Sequence, residues 1–213
     1  MHQVDQIVVV RGERELHERA GHLFGTAREE IACIANSLFT WQATHPSGPL
    51  GASAPVPKRK VFRRSAMLDP SWAQHARAMA DNGAEVRITS HEANETVLLD
   101  RRLAILAGDV VDGVRSFTVV TSPDLVRGIA SLFEVAWRAA VELDAHDRQM
   151  AELRPLAPRI ISALNAGWKD ETAARALGLS LRTYRRRVAE LMEALGATSR
   201  FQAGARAKDL GLV

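Results

Sequence analysis

The period of the apolar positions changes several times along the chain, and each change marks an element. Gln6 to Val10 is a short Val-rich run and reads as a strand. From Glu13 to Ala27, Leu16, Ala20, Leu23, Phe24 and Ala27 recur at helical spacing and predict an amphipathic helix. Glu30 to Ala35 reads as a buried strand, completing a strand-helix-strand unit of the kind that builds helix-covered parallel sheets. Trp41 to Pro57 has no period, is rich in Pro, Gly, Ser and Ala, and reads as a long loop. Lys58 to Met67 is expected to be a strand, and Asp69-Pro70-Ser71 to open a helix that stops at Asn82-Gly83. Glu85 to Thr89 alternates Val86 and Ile88 with charges, as a half-buried strand does. Val97 to Asp100 and Leu103 to Ala107 form a hairpin hinged at Arg101-Arg102, and Arg115 to Thr121 is a further strand. Ser122-Pro123-Asp124 then opens a long helix carrying Leu125, Ile129, Leu132, Ala136, Ala140 and Leu143.

Beyond this point the pattern is helical only. Asp144 to Pro158, charged and with two prolines near its end, reads as an interdomain connection. The expected division is 1–143, a linker at 144–157, and 158–213. Arg159 to Ala166 predicts a helix closed at Gly167, and Asp170 to Gly178 another, with Asp170 as cap and Gly178 as the left-handed stop. Ser180 is placed to cap a helix running to Leu195, on which Tyr184, Val188, Leu191 and Leu195 make an apolar stripe. Arg182, Arg185, Arg186 and Ala189 fall opposite. Thr198 or Ser199 opens a last helix through Leu210. The fold class read from these periods is an α/β N-terminal domain followed by an all-α C-terminal domain of four helices.

Charge sharpens that division. The hydrophobic fraction of 46% is ordinary for a globular protein, and the net charge of +3 hides an asymmetry. From Ala151 onward there are 11 Lys+Arg against 6 Asp+Glu, a net +5, whereas residues 1–150 hold 17 against 19, a net −2. A basic helical module beside a slightly acidic one fits a DNA reader joined to something else. The major groove admits one helix, and Arg can donate twice to a guanine edge. A basic stripe by itself more often describes a solvated face. The one cysteine, Cys33, sits in an apolar run and builds neither a disulfide nor a zinc site, which points to a reducing cytoplasm. Met1 to Asp5 begins no signal peptide, and no stretch approaches a transmembrane span, so no membrane association is expected.

Two resemblances follow from quoted residues. Ala166-Gly167-Trp168-Lys169-Asp170-Glu171-Thr172-Ala173, then Leu179-Ser180 with Thr183-Tyr184-Arg185 and Arg187-Val188, then Leu195-Gly196-Ala197 with Ser199-Arg200, resemble the LuxR-type (GerE-type) helix-turn-helix of bacterial regulators. Tyr184 stands where that family usually has Val, Arg187 where it often has His, Arg159 for a usual Glu and Ala194 for a usual Lys. The resemblance implies double-stranded DNA as partner, with the helix 180–195 in the major groove and Ser180 as its cap. Arg185, Arg186 and Ala189 then face base edges, Lys169, Arg182, Thr183 and Arg200 are placed for phosphates, and Arg187 borders the two sets. It also implies a homodimer through the last helix, where Phe201, Ala205 and Lys208 present one face; the long helix from Pro123 offers a second contact.

Residues 1–143, with Leu99 to Leu106 as the most telling piece, resemble the phospholipase-D-like half-domain found before such helices in actinobacterial regulators. Catalytic members carry a His and a Lys two residues apart with an Asp farther on. Here His91 is followed by Ala93 at the Lys position, and Asp100 lies at the wrong distance. The domain is therefore expected to be non-catalytic and regulatory, without cofactor or metal; the alternative is a phosphodiesterase-like enzyme with an appended DNA-binding module. His17, His22 and His45 show no metal-ligand spacing, and Trp72, Trp137 and Trp168 read as core. Lys58, Arg59, Lys60, Arg63 and Arg64 mark either a solvated strand edge or a site for a small anionic ligand or protein partner. The expected location is the cytoplasm, in association with the nucleoid.

Overall fold

The computed structural model describes residues 7–35, 56–91 and 93–212. His45 and nearly all of the expected loop from Trp41 to Pro57 lie outside the described residues. The chain divides into two compact units: one contains residues up to Arg63 together with Ala76–Ala140, the other Arg64–His75 and Val141–Val213.

The first unit is built on a mixed sheet. Its strands are β1 (Ile7–Arg11), β2 (Ile31–Ala35), β3 (Lys58–Arg63), β4 (Glu85–Thr89), β5 (Thr96–Leu99), β6 (Leu103–Val111) and β7 (Val114–Val120). They lie in the order β1-β7-β6-β5-β2-β3-β4, with β2-β3-β4 parallel and the remaining neighbours antiparallel. Helix α1 (Gly12–Phe24) covers one face and α3 (Pro123–Ala139) the other. Strand alternation separates the two cores. Val97, Leu99, Leu103 and Ile105 pack with Leu16 and Phe24 of α1, whereas Leu98, Ala104 and Val120 pack with Val126, Phe133 and Trp137 of α3.

Three expectations for the chain up to Ala139 are corrected. The β1-α1-β2 unit is not a parallel pair: β1 runs antiparallel to β7 at the sheet edge, and β2 lies between β3 and β5. The strand expected over Lys58 to Met67 ends at Arg63, after which Ala66–Leu68 form a 3₁₀ turn ahead of helix α2 (Pro70–Asp81). The long helix stops at Ala139, and its buried stripe is Val126, Ala130, Phe133 and Trp137. Leu125 and Leu132 of the expected stripe are exposed, Leu132 at 71%. The two stripes are one position apart, and both are apolar. The sheet takes the one carrying the aromatic rings, which bury more area.

The second unit is helical: α4 (Leu143–Met150), α5 (Ala157–Asn165), α6 (Asp170–Leu177), α7 (Leu181–Ala194) and α8 (Arg200–Asp209). The stretch expected to be a linker is part of this unit. Leu143 is buried at the start of α4, and Met150 and Leu153 are buried with Leu68 in the cluster that holds Ile160, Tyr184 and Leu191. Its charged residues had masked an apolar i, i+7, i+10 stripe. The expected stripe of α7 is buried throughout, with Tyr184, Val188, Leu191 and Leu195 all at or below 3% exposure. Trp168, expected in a core, is 45% exposed, and Phe201 at the start of α8 is 89% exposed.

Candidate nucleic-acid interface

Helix α7 owes its position to the turn before it. Gly178, at φ 72, takes the left-handed conformation that ends α6, and its amide donates to the carbonyl of Arg175 at 3.1 Å. Two residues later the amide of Thr183 donates to Ser180 Oγ at 3.1 Å, the expected cap. The Ser180 and Thr183 hydroxyls lie 2.8 Å apart. Ser199 caps α8 in the same way, accepting from the amide of Gln202 at 3.1 Å.

With the apolar stripe of α7 buried, Arg182, Arg185, Arg186 and Ala189 are exposed, following i, i+3, i+4 and i+7 on the outward face. Lys169, just ahead of α6, is exposed as well. Thr183 is half-buried. Arg186 lies 3.8 Å from both Glu152 and Glu190, too far for a hydrogen bond.

Asp170 has a role that sequence reasoning missed. It does not cap α6, whose N-cap position is held by Lys169 without a side-chain bond. Its carboxylate instead accepts from Arg200 at 2.6 and 3.1 Å and from Arg185 Nε at 2.9 Å. Hydrogen bonding to Arg200 is the largest influence on Asp170; with the help of Arg185 it outweighs partial burial and holds the carboxyl below its ordinary range. The clamp ties α6 to the outward face of α7 and to the start of α8, and it orients two of the arginines assigned to DNA. The only signal in sequence was an acidic residue in a basic module.

Arg187 is placed differently from its expected position at the border of the DNA-facing set. It is 7% exposed and pairs with Glu190 at 2.6 Å and with Glu152. At 187 the helix turns toward the core, next to Val188, and the two carboxylates compensate the buried charge. Glu190, three residues on, was a visible partner. Glu152 was not.

In the α/β unit the residues considered for other chemistry are scattered. His91, Thr89 and Asn94 line a cleft of about 620 Å³ with Ala93, Leu132 and Phe133, and among the described residues no Lys or Arg lines it. Asp100 is elsewhere engaged: its carboxylate accepts from the amides of Arg28, Glu29 and Glu30 at 2.8–3.1 Å. Partial burial pushes Asp100 upward, but those amides and Arg102 prevail and hold it below its ordinary range. Cations of and beside β3 are drawn to separate partners. Arg59 donates to Glu134 at 2.7 and 3.2 Å and to Glu30, and stacks over Phe133 and Trp137 at 5.0 and 5.1 Å. Lys60 lies over Phe62 at 4.8 Å, and Arg64, in the other unit, pairs with Glu193 at 2.6 Å. Among the described residues no helix is long and apolar enough to cross a membrane.

No family model matches the chain. A bialaphos biosynthetic pathway regulatory protein of Streptomyces hygroscopicus is 33% identical over 166 residues, covering 73% of this chain. The chain spans 61% of that relative's length. Among solved structures, TrmBL2, an archaeal chromatin protein described as showing a novel mode of DNA binding, superposes with a TM-score of 0.50 at 11% identity. That match covers 67% of this chain and 55% of TrmBL2. NucT from Helicobacter pylori superposes with a TM-score of 0.50 at 10% identity, covering 64% of this chain and 99% of NucT. Nuc from Salmonella typhimurium, a phospholipase D family member, superposes with a TM-score of 0.49 at 13% identity, covering 64% of this chain and 97% of Nuc. At these identities the likenesses show fold alone, a mixed α/β sheet with flanking helices.

Proposed function

We propose that this chain is a sequence-specific, DNA-binding transcription regulator of LuxR type, with α7 as its recognition helix and the α/β unit as a non-catalytic regulatory part. The observation that carries the reading is the outward face of α7, where Arg182, Arg185 and Arg186 are exposed beside the small Ala189 while the opposite stripe is buried. Such a helix presents guanidinium forks to base edges without a bulky neighbour. The 33% identical regulatory protein and the shared fold of a DNA-binding chromatin protein support it. A cytoplasmic, nucleoid-associated protein is implied.

In this reading Arg185 and Arg186 face bases, and Lys169, Arg182, Thr183 and Arg200 meet phosphates. Arg187 holds the helix in place rather than touching DNA. In this reading the α/β unit is regulatory rather than hydrolytic, which fits a His91 cleft lined by no Lys or Arg among the described residues. A homodimer supplies the two half-sites, using the exposed Leu125, Leu132 and Val135 of α3 and Phe201 of α8.

The test is quantitative binding to a selected operator and to random duplex. Arg186→Ala should lose roughly 1–3 kcal/mol on the operator and much less on random DNA. Lys169→Ala should weaken both and flatten the salt slope by about one. Equal losses on the two duplexes for Arg186→Ala would overturn the assignment.

A further inference from the structure

A groove of about 650 Å³ lies in the α/β unit between the β5–β6 turn and helix α3. Arg101 and Arg102 line it from the turn; Arg127, Ser131, Glu134 and Arg138 line it from α3. Those four helical positions follow i, i+4, i+7 and i+11, a polar stripe beside the buried apolar one. Four guanidinium groups thus face one carboxylate, and that carboxylate is already engaged. Glu134 accepts from Arg59 at 2.7 and 3.2 Å as well as from Arg101 at 2.5 Å. Arg59's hydrogen bonds are the largest influence on Glu134, outweigh its partial burial, and hold it below its ordinary range. Glu134 therefore anchors Arg101 more than it neutralises the groove. Arg102 pairs with Glu29 at 3.1 Å and Arg127 with Asp124 at 2.9 Å, but both pairs are solvent-exposed and worth little. Neither acid lines the groove.

The turn itself is a second, independent sign. Asp100 and Arg101 have φ 51 and 53, a left-handed conformation where Asn or Gly would sit more easily. It is held from several sides: the Asp100 carboxylate takes three backbone amides, the amide of Arg102 donates to the Leu99 carbonyl at 2.9 Å, and Arg101 is tied to Glu134. An over-determined, strained turn that delivers two arginines into a concavity is the arrangement of a ligand clamp. Guanidinium forks recognise phosphate oxygens two at a time, and the Ser131 hydroxyl adds a further donor.

We infer that this groove binds a small phosphate-bearing metabolite, and that such a ligand is the input of the α/β unit. A concavity of this volume matches a small molecule, whereas a duplex backbone needs an open track. The inference rests on the regulatory reading of the unit for its biological sense, while the binding itself stands apart from DNA recognition.

The experiment uses the full chain and inorganic pyrophosphate at constant ionic strength, read by calorimetry and thermal shift, with succinate as a dianion lacking phosphate. Pyrophosphate should bind saturably and raise the melting temperature, with succinate at least tenfold weaker. Arg127→Ser combined with Arg138→Ser, both exposed, should weaken pyrophosphate at least tenfold, and Arg102→Ser should do so in a separate background. Arg186→Ala should bind pyrophosphate as the wild type does, so the two readings fail separately. Absence of binding, binding unchanged in both groove variants, or no preference over succinate would overturn the inference. So would displacement of pyrophosphate by random duplex with a matching DNA-binding loss in the groove variants, which would make the groove part of the DNA path.

Discussion

His146 should make the helical unit sensitive to mild acid, and the size of the effect follows from its surroundings. The ring is buried on α4, and both of its nitrogens lie in the interior without a hydrogen-bond partner. Burial is the main cause, with the charges of Arg64 and Arg154 adding to it, of a pKa lowered from 6.5 to about 4. Asp147 Oδ1 is 3.9 Å from Nδ1 and is itself held by Arg154 at 2.6 Å. The folded protein therefore keeps His146 neutral where the unfolded chain protonates it. With the folded pKa depressed, the unfolded state binds more protons between 6.5 and about 4, so stability is complete above that window and falls as pH falls through it. Each pH unit is worth roughly 1.4 kcal/mol, which gives about 2 kcal/mol by pH 5 and a ceiling of about 3 kcal/mol. His146→Leu removes the titration and leaves no polar atom stranded. The assay is urea unfolding of the full chain at pH 7 and pH 5, with hydrogen exchange at α5 and α7 reporting the helical unit. The wild type should lose about 2 kcal/mol more than His146→Leu over that interval. The same pH dependence in both proteins would refute the reasoning.

Three further outcomes follow from individual contacts. The Tyr184 hydroxyl is buried without a hydrogen-bond partner, so Tyr184→Phe should leave stability unchanged or raise it by up to about 1 kcal/mol. A loss above that in chemical denaturation would show a partner for the hydroxyl. Asp170→Asn should cost about 1–2 kcal/mol at pH 7, and the gap to wild type should close as pH falls through the lowered carboxyl pKa, since Asp170 contributes only while ionised. A gap that stays constant down to pH 3 would contradict the clamp. Asp100→Ala should cost about 2–4 kcal/mol, because it strands backbone amides and strains a left-handed residue. Asp100→Gly should recover about 1 kcal/mol of that loss by relieving the backbone, and equal losses would assign the whole effect to the carboxylate.

The parts of the candidate interface that were legible in sequence are those governed by neighbours within a turn or two. Ser180 caps because its own hydroxyl reaches Thr183, Gly178 stops α6 because only its own φ is involved, and the stripe from Tyr184 to Leu195 follows from helical periodicity. Periodicity could not choose between equal candidates. On α3, the series Leu125-Ile129-Leu132-Ala136 and Val126-Ala130-Phe133-Trp137 are both apolar at helical spacing, and the sheet took the second. Contacts across long separations left no trace. Arg187 turns inward to a carboxylate 35 residues away, and Asp170 reaches 30 residues to Arg200.

Sequence alone determined where helices and most strands form, that the C-terminal part is basic and helical, and which face of α7 is apolar. These depend on local backbone preference and on the period of apolar residues, both of which are written along the chain. The tertiary structure decided the antiparallel placement of β1 at the sheet edge, the inclusion of α4 in the helical core, and the choice of α3's buried face. It also decided which arginines remain exposed: Arg59 and Arg187 are neutralised by distant carboxylates, whereas Arg127 and Arg186 stay exposed. Charge is a property of a residue, but its availability depends on which opposite charge the fold brings within a few ångströms, and strand order and helix packing set that.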